Sequence, residues 1–83
     1  MKSIHSDSYA VFLECLKEMR RTKNLTQIEL AELINRDQTY VSKYERAERR
    51  LDVIEIRTIC NALGIHFIDF IRNVENELEK RGL

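Results

Sequence analysis

Apolar residues recur three and four positions apart along most of this chain, a spacing that predicts helices separated by short polar turns. Tyr9, Phe12, Leu13, Leu16 and Met19 make one stripe from about Ser8 to Arg21. Ser6 or Asp7 is placed to cap its start, and Asn24 to end it. Leu30, Ala31 and Ile34 line a second, shorter helix. It opens at Thr26 with Glu29 three positions on, the sequence form of a capping box. Asn35-Arg36 supplies the next turn, because asparagine tolerates the left-handed conformation better than most residues. Asp37 then caps a third helix that runs to about Arg46, with Val41 and Tyr44 on its inner side. Asp52 and Glu55 open a fourth helix whose inner residues are Ile56, Ile59, Cys60 and Leu63, and which stops at Gly64. A fifth covers roughly Phe67 to Lys80, striped by Phe67, Phe70, Ile71, Val74 and Leu78.

The third helix is two-sided in an informative way. Gln38, Thr39, Ser42 and Lys43 face outward as a row of hydrogen-bonding side chains, and a tight turn joins this helix to the second. Two short helices so arranged form a helix-turn-helix, whose second helix enters the DNA major groove. Residues 8–66 are read as four core helices and 67–81 as helix five, all within one domain spanning 1–83. Val74 and Leu78 extend the last stripe beyond what a small core is expected to receive. Together with Ile71 they are therefore assigned to dimerisation.

Eighty-three residues leave room for one modest core and no separate sensing or catalytic domain. With no proline and only two glycines, the chain is expected to be all-α. Fourteen basic residues balance fourteen acidic ones, which sits poorly with a nucleic-acid partner until the distribution is considered. Arg20, Arg21, Lys23, Arg36, Lys43, Arg46, Arg49 and Arg50 cluster on the helix-turn-helix and its flanks, while the segments on either side are net negative. Positive charge is thus concentrated where phosphates would lie. No apolar run is long enough to cross a bilayer and the amino terminus lacks a signal-peptide pattern, so a cytoplasmic protein without a membrane partner is expected. Cys15 and Cys60 show no metal-ligand spacing, and Cys60 falls in the apolar set of the fourth helix. His5 and His66 are isolated. No nucleophile, base and orienting group can be assembled, so no enzyme, metal or cofactor is expected.

Arg20, Leu25-Thr26-Gln27, Leu30-Ala31, Val41-Ser42-Lys43-Tyr44-Glu45 and the Ile59–Gly64 segment together resemble the Cro/C1-type, or xenobiotic-response-element-type, helix-turn-helix family. The resemblance spans about Leu16 to Phe70. Through Gln38 to Asp52 it is similar to small stand-alone bacterial and phage regulators. It implies a five-helix, lambda-repressor-like domain and a sequence-specific regulator that binds double-stranded DNA as a homodimer on a pseudo-palindromic operator.

The resemblance further implies that Gln38, Thr39 and Lys43 read base edges, chemistry that suits glutamine toward adenine and lysine toward guanine. Gln27, Tyr40 and Ser42 are implied to meet the DNA backbone. Arg36, Arg49 and Arg50 are assigned to phosphate as well, and Arg20 with Glu45 to a structural pair. The chain departs from the family pattern at Asn35 and Ala47, where glycine is usual, at Arg36, where an apolar residue is common, and at His66, where serine usually caps. An antitoxin that also binds a protein partner, and an interaction module that has lost DNA binding, are the alternatives.

Overall fold

The computed structural model describes residues 6–83 and folds them into five helices: α1 (Asp7–Thr22), α2 (Gln27–Leu33), α3 (Gln38–Glu45), α4 (Val53–Ala62) and α5 (Phe67–Lys80). No strand occurs among the described residues, and no helix among them is long and apolar enough to cross a membrane. His5 lies outside the described residues.

Local chemistry accounts for each helix start but one. Ser6, Thr26, Asp37 and Asp52 each accept a backbone N–H from the first turn that follows. At Thr26 and Asp52 the third helical residue, Glu29 or Glu55, returns the bond to the cap's own N–H, completing a capping box. His66 makes no such side-chain bond, leaving Asp69 in the first turn as the favourable charge for the helix dipole.

The helix ends share one device. After each helix a residue with positive φ reverses the chain: Asn24 (59°), Asn35 (58°), Ala47 (62°), Gly64 (70°) and Gly82 (74°). The next N–H then reaches back to a carbonyl in the last turn, as Arg36 does to Ala31 (2.9 Å) and Glu48 to Lys43 (2.8 Å). Glycine and asparagine take that conformation at little cost, but Ala47 carries a Cβ into it.

The core runs through all five helices. Leu16, Leu30, Val41, Tyr44, Ile59 and Cys60 are almost fully buried, and Ala31 is buried between α2 and its neighbours. Burial pushes the Cys60 thiol up to about 11, so it behaves as a small apolar side chain. The Tyr44 hydroxyl is also buried, and finds no hydrogen-bond partner among the described residues.

Two expectations about packing are corrected. Val74 is only 8% exposed and belongs to the chain's own core, with Leu78 packed against it. The sixteen-residue α1 is long enough to receive α5 along its length, so the last stripe does not outrun the core. Of the three residues assigned to dimerisation, Ile71 alone stays exposed, at 40%, with Ile68 beside it at 53%. Val11 and Leu51 also join the core, and the first stripe turns, so that Tyr9 and Phe12 are half-buried.

Candidate nucleic-acid interface

The turn between α2 and α3 needs only Ile34 to Asp37, and it brings the first residues of both helices side by side. Gln38 Nε2 donates to Gln27 Oε1 at 3.0 Å, and Gln27 Nε2 donates in turn to Glu45 Oε1 at 2.9 Å. Glu45 also takes a two-pronged bond from Arg20, Nε to Oε2 at 2.8 Å and Nη2 to Oε1 at 3.0 Å. Arg20 uses its third nitrogen on the Leu25 carbonyl at 2.7 Å. A continuous chain of bonds therefore leads from α1, through the end of α3 and the start of α2, to the first residue of α3.

The Arg20–Glu45 pair joins α1 to the end of α3. Its side chains are 11% and 3% exposed. The bond to Glu45 raises the Arg20 guanidinium above its ordinary value against the opposing effect of burial. Gln27, by contrast, is not free to turn wholly to DNA. Its oxygen accepts from Gln38 and one amide hydrogen is given to Glu45, which leaves one hydrogen for an outside acceptor.

Gln38, Thr39 and Lys43 are exposed on α3, and Ser42 beside them is half-buried. Gln38 uses one amide hydrogen on Gln27. Its carbonyl oxygen and remaining hydrogen make no hydrogen bond among the described residues, and they are the acceptor and donor that a bidentate contact with adenine requires.

Tyr40 differs from the expectation of an open backbone contact. It is 8% exposed, its ring edge-to-face with Tyr44, and its hydroxyl donates to Glu55 Oε2 at 3.2 Å. Burial and the Glu55 carboxylate raise its ionisation, which keeps the donating proton in place. Two guanidinium groups lie over the same ring, Arg36 at 4.3 Å and Arg49 at 4.7 Å from its centroid. Both also face Glu55 Oε2, at 3.9 Å and 2.9 Å. Arg50 covers a different ring, that of Tyr9, at 5.0 Å. The Tyr9 hydroxyl accepts the Leu51 N–H at 3.2 Å, fixing the loop after α3 to the first turns of α1.

Sequence reasoning gave Glu55 and Tyr9 only a cap and a place in an apolar stripe. Their links to Arg36, Arg49 and Arg50 depend on how distant segments meet, and spacing along the chain carries no such signal.

Comparison with known proteins agrees with this geometry. The helix-turn-helix family model matches residues 16–70. The control protein C.MunI from a Mycoplasma species is 32% identical over 63 residues, covering 75% of this chain and 85% of the relative. An XRE-family like protein from Pseudomonas syringae pv. tomato superposes with a TM-score of 0.81 at 40% identity, covering 89% of this chain and 90% of that one. A mutant of the restriction-modification controller protein C.Esp1396I gives a TM-score of 0.82 at 28% identity, covering 90% and 95%.

Proposed function

As a member of the Cro/C1-type helix-turn-helix family, this chain is a DNA-binding transcriptional regulator, and we propose that it acts as a homodimer reading a pseudo-palindromic operator. The observation that carries this reading is the exposed row on α3, with its first member, Gln38, held by Gln27. Gln38, Thr39 and Lys43 meet base edges, while Ser42 and the last hydrogen of Gln27 meet the backbone. Arg36, Arg49 and Arg50 supply phosphate contacts at the side of the recognition helix. The relatives named as a control protein and as a restriction-modification controller protein support a regulatory role.

Two-fold pairing is assigned to Ile71, with the neighbouring Ile68 one helical turn away, because Val74 and Leu78 are already spent inside the chain. A two-fold dimer places two recognition helices about one helical turn of DNA apart. Selection from a random duplex pool tests the reading directly. An inverted repeat with that spacing is expected; failure to enrich any sequence overturns it. Sedimentation of the Ile68→Glu, Ile71→Glu double variant tests the dimer, with a folded monomer expected. A variant that still sediments as a dimer removes α5 from the interface.

A further inference from the structure

Glu55 is the least expected member of the interface. Its two oxygens have separate duties. Oε1 accepts the Asp52 N–H at 2.9 Å and so is fixed to the start of α4. Oε2 faces the Tyr40 hydroxyl and the guanidinium groups of Arg36 and Arg49. Because the first bond immobilises the carboxylate, the second oxygen is a fixed point about which three side chains from α3 and its flanking segments are arranged. Tyr40 adds a buried, flat surface under both guanidinium groups. Neither arginine is used up. Arg49 gives Nη1 to Glu55 and to the Arg50 carbonyl, and Arg36 stands at ion-pair distance only, so each keeps several N–H groups and remains open to solvent.

We propose that Glu55 is a positioning residue for DNA backbone binding, presetting Arg36 and Arg49 on the Tyr40 ring as one two-pronged phosphate clamp. The inference rests on the DNA-binding reading above and adds a specific device to it. Phosphate contacts carry no sequence information of their own, but they fix the register in which α3 meets the bases. An arginine held beforehand loses less freedom on binding than one that must be captured from solvent. The carboxylate therefore improves register on the correct site, although its charge repels every duplex.

Glu55→Gln is the informative change. Glutamine at this position still completes the capping box, so α4 keeps its start. Dissociation constants are measured on the selected operator and on a scrambled duplex, for the wild type, Glu55→Gln, Arg49→Ala and the double variant. Coupled neighbours predict that Arg49→Ala costs the wild type at least ~3-fold more operator affinity than it costs the Glu55→Gln background. The operator-to-scrambled ratio of Glu55→Gln is expected to fall while its melting temperature stays near that of the wild type. The Arg49 Nε–H resonance should shift in Glu55→Gln, and in Tyr40→Phe, which removes only the hydroxyl. Equal costs of Arg49→Ala in both backgrounds overturn the proposal, as does a Glu55→Gln variant that binds both duplexes more tightly by the same factor. If the wild type binds no duplex at all, the DNA-binding reading fails and takes this proposal with it.

Discussion

Two glutamates organise the polar side of this molecule, and they do so in opposite settings. Glu45, at the end of α3, is 3% exposed in its side chain and is shared by Arg20 of α1 and Gln27 of α2. Glu55, in the first turn of α4, is 18% exposed and is shared by Tyr40, Arg36 and Arg49. The buried group cannot lose a partner without leaving a charge stranded in the core. The surface group is screened by water and salt, so its pairs add little to stability. The contrast separates two uses of one side chain: Glu45 holds helices together, whereas Glu55 holds arginines in place.

The largest test of that contrast is Glu45→Ala. It strands Arg20 and frees Gln27, so a loss of roughly 3–5 kcal/mol is expected. In a domain of this size the thermal midpoint should drop by well over ~10 °C, DNA absent. A near-normal melting curve would make the two glutamates equivalent. Next in size comes the exposed row that the Glu45 network supports. Lys43→Ala should relax preference at one position per half-site by roughly 1–3 kcal/mol while leaving the melting curve alone. Replacing Arg50, which stacks on Tyr9 outside the Glu55 cluster, should weaken binding to all sequences and flatten the log–log salt slope by about 0.9.

Glu55→Ala should cost stability mainly through the lost cap, about 1 kcal/mol, since its ion pairs stay in contact with solvent on the arginine side. Its pH dependence sharpens the point. Burial alone would raise the Glu55 carboxyl, but the Asp52 N–H and Arg49 hold it below the ordinary value of 4.5. A depressed folded-state pKa contributes stability that is present above pH 4.5 and lost as pH falls through the folded value. Whatever small melting-temperature difference separates wild type from Glu55→Gln at neutral pH should therefore close on acidification. The smallest effect lies between the two glutamates, at Ala47. Glycine there relieves left-handed strain of about 1–2 kcal/mol but adds unfolded-state entropy, for a net gain of about 0.5–1 kcal/mol. Thermal melts should register that gain with no change in sequence preference.

Local signals carried most of the architecture. Thr26 with Glu29 and Asp52 with Glu55 announced their helices because capping is decided within four residues. Asn35 marked a turn by its own left-handed tolerance, whereas Ala47 stood out only against the glycine usual in the family; both take positive φ. The misreadings concern surfaces created by distant packing. Val74 looked spare from its position late in the stripe, yet the length of α1 set how far the core extends. The family resemblance implied that Tyr40 meets the DNA backbone, yet the α4 start and two arginines close over it. The pairing of Gln27 with Gln38, eleven positions apart, depends on the angle of the turn rather than on either residue.

The Tyr9–Leu51 bond has a practical consequence for anyone handling this protein. It joins the loop carrying Arg49 and Arg50 to a point three residues after Ser6, the cap of α1. Charge introduced into the first turn of α1, at Asp7 or Ser8, therefore lies close to the loop that carries those two arginines. A lysine there should raise apparent affinity for every duplex and an added carboxylate should lower it, so a substitution meant only to adjust the start of α1 also alters the proposed phosphate binding.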